Sequence, residues 1–227
     1  MDGAVAIVLA AGSGERLGQD RPKAFVELAG RPLLAHAAGA ALTCPEISLV
    51  IVAAPPGGED LAHAMVESLG AHAVVTGGVT RRASVLAALR AVPADAAAIV
   101  CHDAARPFAR AGLFARVLAA LEGADGVVPV VPVPDTVKRV DGDVVLGTEP
   151  REGLVLAQTP QAFLAPALRE AHERAERDGD EMTDDAAALE RAGFRVRTVP
   201  GDPGNFKITT PEDLARAGTI ALELARG

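Results

Sequence analysis

LAAGSGERLGQDRPKAF, residues 9–25, directly follows a short apolar run from Ala4 to Leu9 that reads as a buried first strand. Gly12 and Gly14 let the chain turn sharply and leave backbone N–H groups exposed, a loop able to cradle phosphate. Arg16, Arg21 and Lys23 then place three cations within eight residues. A strand, a glycine turn and a cationic tail in that order predict a sheet whose first strand ends at a site for a highly charged anion, such as a nucleoside triphosphate.

Two familiar glycine motifs do not fit. A P-loop needs G-x-x-x-x-G-K-[ST], and neither Lys-Ser nor Lys-Thr occurs in the chain. The dinucleotide fingerprint needs G-x-G-x-x-G opening a helix, whereas Gly12, Gly14 and Gly18 are separated by one and three residues. Pro22 also opposes a continuous helix here. The competing reading is a surface turn with solvated arginines.

The 227 residues suffice for a substantial core and predict one domain, 1–227. Apolar residues make up 49% and charged residues 23%, ordinary for a globular protein. A net charge of −8, with neither Trp nor Tyr, argues against nucleic-acid or anionic-membrane partners, which call for a broad basic surface or stacking platforms. Cations clustered in an acidic chain imply a focused anion pocket instead. The opening MDGAVAIVLA has no charged n-region, so no secretory signal is expected, and no run reaches membrane-spanning length. Cys44 and Cys101 lack metal or redox spacing and read as reduced thiols, so a cytoplasmic location is expected. Of 22 Lys and Arg residues only Lys23, Lys138 and Lys207 are lysines, which marks them as places where a compact ammonium matters.

Along the chain, apolar runs alternate with helical patterns. Strands are expected at 49–53, 73–76, 97–101 and 126–131, with helices at 33–42, 61–69, 84–91 and 112–121 between them. This rhythm predicts an α/β fold, a doubly wound and mostly parallel sheet with helices on both faces. It breaks at 129–150, where VPVPDTVKRVDGDVVLGTEP occupies positions 131–150. Asp141-Gly142 between β-branched runs is a strong hairpin signal, so residues 133–150 are expected to project as a β-arm. A lone hairpin is marginal in water; a second copy of the chain is the economical cover, and a disordered loop is the alternative. A strand at 154–157, a helix beginning near Pro166, a helix capped by Thr183 and stopped by Gly193, a strand at 194–199 and a terminal helix opened by Thr210-Pro211-Glu212-Asp213 complete the order.

Three further stretches carry chemistry. His102-Asp103-Ala104-Ala105-Arg106-Pro107 follows the fourth strand. A carboxylate at a strand end facing a phosphate loop is suited to hold Mg²⁺ or orient a substrate, and Arg106 either pairs with Asp103 or binds an anion. A structural ion pair is the rival reading, and His102 reads as a packing residue. In Gly77-Gly78-Val79-Thr80-Arg81-Arg82-Ala83-Ser84 the glycines permit close backbone approach, and Ser84 either caps a helix or touches a ligand. Lys207, in Asn205-Phe206-Lys207-Ile208, either snorkels or points into a pocket.

Taken in order, LAAGSGERLGQDRPKAF, GGVTRRASV, HDAARPF, PVPDTVK, QTPQAF, MTDDAAALE and GNFKITTPEDL resemble the 2-C-methyl-D-erythritol 4-phosphate cytidylyltransferase family over essentially the whole chain. The resemblance implies a Rossmann-like nucleotidyltransferase fold, a β-arm that forms a homodimer, and transfer of CMP from CTP to methylerythritol phosphate in isoprenoid precursor synthesis. It implies that Ala10, Ala11, Gly12, Gly78 and Ser84 hold CTP, that Arg16 and Lys23 embrace its triphosphate, and that Asp103, also the metal candidate, and Arg106 lie beside the phosphates and sugar. Arg151 and Lys207 would hold the methylerythritol phosphate, helped by Thr136, Thr159 and Thr183, with Thr136 and Arg151 arriving from the partner's arm. Val79 departs from the polar residue more usual near the base. A second catalytic domain, sometimes fused in this family, is not expected in 227 residues.

The implied chemistry suits the residues. A phosphate monoester is largely dianionic at neutral pH and needs no general base, and the sequence offers no convincing Ser/His/Asp triad or Cys nucleophile. The barrier is repulsion between two polyanions, which cations and Mg²⁺ would lower. A pentitol-phosphate cytidylyltransferase and a nucleotide-binding regulator without turnover are the rival functions.

Overall fold

The structure, a computed structural model, describes residues 3–12, 14–18, 21–70, 72–180 and 182–224. The chain runs β1 (Ala4–Leu9), β2 (Glu27–Leu28), β3 (Arg31–Pro32), α1 (Leu33–Leu42), β4 (Ile47–Ala54), α2 (Glu59–Val66), β5 (His72–Thr76), α3 (Arg81–Leu89), β6 (Ala98–Asp103), α4 (Ala111–Ala119) and β7 (Gly126–Pro132). There follow β8 (Val137–Asp141), β9 (Val144–Glu149), β10 (Val155–Ala157), β11 (Gln161–Leu164), α5 (Ala165–Asp178), α6 (Asp185–Arg191), β12 (Val196–Pro200) and α7 (Pro211–Leu224).

The central strands are apolar on both faces because both faces are covered. Along β1, Ala4, Ala6 and Val8 join Val50, Val52 and Val100 on one side, packed with Leu34, Ala38 and Phe114 of α1 and α4. Val5 and Ile7 join Ile51, Ile99 and Cys101 on the other, against Val85 and Leu89 of α3 and Leu168 of α5. Alternation with period two splits one continuous apolar run between two cores. Ile7, Ile51 and Ile99 are fully buried, each stabilising the fold by about 1.5–3 kcal/mol relative to exposure.

Topology sets the position of the site. From β1 the chain steps outward through β4 to β5 in parallel register, then α3 crosses the opposite face and delivers β6 to the other side of β1, also parallel. The direction of winding therefore reverses between β1 and β6, and a crevice opens at their carboxyl ends. The sheet is mostly parallel as expected, with one feature not anticipated: β11 inserts antiparallel between β6 and β7. Beyond it, β10 lies antiparallel and β12 parallel on β7.

Local boundaries differ from the expected ones by a few residues, for identifiable reasons. The cap of α3 is Thr80, whose hydroxyl accepts from Ala83 N at 3.1 Å, so the helix begins three residues before Ser84. The cap of α6 is Asp184, accepting from Ala187 N at 3.0 Å, and not Thr183. In the hairpin Asp141 still pairs with Val144, so the turn is Gly142-Asp143, with Gly142 taking the positive φ of 57° that the first turn residue requires. Among the described residues, strands β8 and β9 pair only with each other, with a register shift at Arg139/Val140.

Candidate active site

Three segments meet at the crevice, and in each an apolar neighbour is buried so that a cation turns outward. In the loop after β1, Arg16 precedes Leu17, which is 1% exposed; Lys23 precedes the buried Ala24 and Phe25; in the segment before α7, Lys207 precedes Ile208, which is fully buried. Leu17 and Ile208 belong to one small core with Val26, Leu28, Leu33 and Ala217, so one apolar anchor beneath the loop brings residues 16 and 207 to the same rim. Gly14 takes a φ of 74°, and a Cβ there would lie 2.6 Å from the Lys23 Cβ; only glycine lets residue 23 fold back against the loop.

The resulting cleft encloses about 440 Å³ and is lined by the loop backbone at Ala10, Ala11 and Gly12, by Arg16, Lys23, Gly78, Ser84, Asp103 and Lys207, and by Glu15, Val79, Thr80 and Arg81 among others. Of the three loop cations read from the sequence, Arg16 and Lys23 converge here with Lys207, whereas Arg21 lies outside this cleft, in a separate depression with Pro22, Phe25 and Pro55. Val79, the departure noted above, is fully exposed at this cleft.

Asp103 closes β6 and is 6% exposed. Its Oδ1 accepts from Arg81 Nη1 at 2.6 Å and its Oδ2 lies 2.7 Å from Lys207 Nζ. Burial alone pushes the carboxyl up, but the Arg81 and Lys207 charges outweigh it and hold Asp103 well below the usual carboxylate range. Lys23 behaves oppositely: burial, then repulsion from Lys207, lowers its ammonium to about 8. Burial is the larger cause, and Lys207 and Arg16 add to it against the opposing pull of Asp103 and Asp213.

The remaining candidates stand behind or outside this cleft, except Ser84 in its wall. Arg106 donates from Nη1 to Asn205 O at 2.9 Å and from Nη2 to Ala157 O at 3.3 Å, with Nε 4.0 Å from Asp103 Oδ2; it ties three segments together behind the carboxylate. Thr159 is buried, and its hydroxyl accepts from Asp103 N at 3.0 Å and lies 3.1 Å from His102 Nδ1. His102 itself is fully buried, packs edge-on against Phe114 and is pushed down to about 4 by burial, the packing role expected of it. Ser84 Oγ accepts from Gly78 N at 3.1 Å, holding the second glycine turn in shape from inside the cleft wall. Thr136 and Arg151 are exposed near the arm, where Arg151 Nη1 donates to Pro134 O at 2.7 Å, and Thr183 is exposed before α6.

Sequence reading passed over Arg81 as a site residue. Its signal was present: two arginines at the start of α3 oppose the positive end of the helix dipole, a placement that calls for acidic partners. Arg81 finds them in Asp103 and in Asp185, at 2.6 Å each.

A doubly wound sheet with a glycine loop and a cation-ringed cleft at its topological switch defines a nucleotidyltransferase-type protein. Comparison with known proteins narrows the class: a family model described as IspD, 2-C-methyl-D-erythritol 4-phosphate cytidylyltransferase, matches residues 4–223. The chain belongs to that family. A "Bifunctional enzyme IspD/IspF" of Solidesulfovibrio magneticus is 47% identical over 95% of this chain and 56% of its own length. A protein of the same description from Clavibacter michiganensis is 47% identical over 93% and 52%. The chain therefore spans about half the length of the curated relatives it matches. Among solved structures, the 2-C-methyl-D-erythritol 4-phosphate cytidylyltransferase of Thermus thermophilus is 40% identical with a TM-score of 0.82, covering 98% of this chain and all of that one. The 4-diphosphocytidyl-2C-methyl-D-erythritol synthase of Anaerococcus prevotii is 30% identical with a TM-score of 0.85, covering 97% and 99%.

Proposed function

We propose that this chain is a cytidylyltransferase that converts CTP and 2-C-methyl-D-erythritol 4-phosphate to 4-diphosphocytidyl-2-C-methyl-D-erythritol and pyrophosphate, a step in isoprenoid precursor synthesis. The observation that carries the reading is the convergence of Arg16, Lys23 and Lys207 around the glycine loop at the β1/β6 switch. In the proposed reaction a phosphate oxygen of the sugar ester attacks the α-phosphorus of CTP. A new P–O bond forms, the bond to the bridging oxygen breaks, and pyrophosphate leaves with the electron pair. The nucleophile is already ionised, so the side chains neutralise charge and align the reactants. Arg16 and Lys23 face the triphosphate, while the backbone at Ala10, Ala11, Gly12 and Gly78, with Ser84 behind it, receives the nucleoside. Lys207 takes the sugar phosphate.

Asp103 is the residue that would hold Mg²⁺. Among the described residues no group of three or more His, Cys, Asp and Glu side chains is placed to hold a metal. Mg²⁺ commonly takes one or two carboxylates and completes its shell with waters and substrate phosphates, so an ionised carboxylate at the triphosphate cleft fits, provided Lys207, 2.7 Å from Oδ2, turns to the sugar phosphate and frees that oxygen. Bound there, the ion would neutralise developing charge on the phosphates.

Thr136 and Arg151 lie outside the cleft of their own chain, and this reading brings them to the site of a second copy through residues 133–150, making a homodimer of single domains spanning 1–227. Thr159 and Arg106 serve by fixing the segment around Asp103, and Thr183 assists sugar-phosphate binding. No helix among the described residues is long and apolar enough to cross a membrane, and Cys44 and Cys101 are free and buried; a cytoplasmic location completes the reading. The test is pyrophosphate release from CTP with methylerythritol phosphate and, in parallel, with a pentitol phosphate. Turnover only with the former is expected. Preference for the pentitol phosphate, or tight CTP binding with no product from either, overturns the assignment.

A further inference from the structure

The two oxygens of Asp103 are held in different ways. Oδ2 meets Lys207, whose side chain is 43% exposed and free to follow a ligand. Oδ1 meets Arg81, whose side chain is 20% exposed and whose other terminal nitrogen, Nη2, is engaged at 2.6 Å by Asp185 Oδ2. Asp185 is itself 1% exposed at the first turn of α6, with His172 of α5 bringing Nε2 to 3.4 Å from its other oxygen. The guanidinium is thus clamped between a carboxylate in the cleft and a carboxylate in the core.

We infer that Arg81, anchored by Asp185, is a positioning residue that locks one oxygen of Asp103 so that only the oxygen shared with Lys207 changes partner when substrates bind. This inference rests on the cytidylyltransferase reading. A planar guanidinium can bridge two carboxylates with separate N–H groups, whereas a lysine ammonium is a point charge on a flexible stem. Restraint follows from the bridge: rotation of the Asp103 carboxylate breaks the Oδ1 contact, and movement of Arg81 to follow it breaks the contact with Asp185. Burial works against the charge of all three groups; their mutual attraction, with His172 beside Asp185, more than offsets it, keeping Arg81 cationic and Asp185 below the usual carboxylate range. The start of α3 at Thr80-Arg81 and the start of α6 far along the chain at Asp184-Asp185 are two ends of one strut reaching into the cleft.

The test is Arg81→Lys, which keeps the charge and loses the fork, beside Asp185→Asn, which keeps the shape and loses the anchoring charge. With the wild-type enzyme active on CTP and methylerythritol phosphate, both variants are expected to keep KM for CTP within about threefold, because the loop backbone and the cations still receive the nucleotide. Arg81→Lys is expected to lower kcat at least thirtyfold and Asp185→Asn at least fivefold. Rescue of kcat to within twofold by lysine would show that charge alone is needed and overturn the inference; so would a loss confined to KM, or a lower Tm with normal kcat. If Arg81→Lys does not fold, Asp185→Asn decides by the same split. An inactive wild-type enzyme would overturn the functional reading instead, and the strut is then judged by a crystal structure of Asp185→Asn with CTP. An Asp103 carboxylate turned from its wild-type orientation supports the strut; one unchanged overturns it.

Discussion

At the scale of the residue, Lys23 is where the competing effects can be weighed. Burial and the neighbouring Lys207 lower it to about 8, so the protein's own groups do not fully stabilise this cation. A triphosphate supplies the missing counter-charge. At about 4 Å and an effective dielectric near 20, one unit charge contributes roughly 4 kcal/mol, equivalent to about a thousandfold in rate. Lys23→Ala is therefore expected to lower kcat by about that factor in pyrophosphate release, with Tm unchanged or slightly raised because a repelled cation has been removed. A near-normal rate would show that the charge is not used. The same shift gives a pH signature. The ammonium form binds the polyanion, the free group loses its proton above about pH 8, and binding must restore it. CTP affinity measured by calorimetry is expected to fall as pH rises through 8, approaching tenfold per unit, with net proton uptake in that window. Lys23→Arg should flatten the dependence, since guanidinium stays charged; an unchanged slope in that variant would place the titrating group elsewhere.

At the scale of the element, the order of strands and helices was legible where one physical signal dominated. Residues 33–42 form the predicted helix because a Leu- and Ala-rich run after Pro32 outweighs the single interior glycine, Gly39, and β1 is apolar throughout because both its faces are covered. Legibility failed where partners are distant in sequence. Strand β11 is four residues, Gln161–Leu164, wedged between a proline and a helix. Only its slot between β6 and β7 makes it a strand, and nothing local announces that slot. The same holds in the site: residues near the glycine loop were readable from spacing, but the pairing of Arg81 with Asp185, 104 positions away, was not. The hairpin is the element whose consequence can be tested most directly. Among the described residues β8 and β9 pair only with each other, and Val140, Val144, Val145 and Leu146 are 55–60% exposed on them. Two strands carrying that much bare apolar surface require a cover. Deletion of residues 137–146 is expected to give monomers by light scattering, with turnover lost because Thr136 and Arg151 no longer reach a second copy. A stable, active monomer would refute the arm's role.

At the scale of the whole molecule, the proposed reaction requires a chain with a net charge of −8 to attract two polyanions. The net charge repels them at long range, whereas the cleft gathers Arg16, Lys23, Arg81 and Lys207 against Glu15 and Asp103 among its lining residues. The attraction is local, and its reach is set by salt: the Debye length shrinks from about 10 Å at 0.1 M to about 3 Å at 1 M. Screening at moderate salt weakens both the general repulsion and the focused attraction, and the attraction is the stronger term because low-dielectric walls concentrate the field in a cleft. KM for CTP is therefore expected to rise steadily between about 0.05 and 0.5 M NaCl, while kcat, set by contacts already desolvated, changes little. The slope of log KM against log salt should fall in Arg16→Gln, which removes one rim cation without touching the Asp103 pairs. A KM that is flat or decreasing with salt would mean that the acidic exterior dominates and that the cleft's cations are neutralised before CTP arrives.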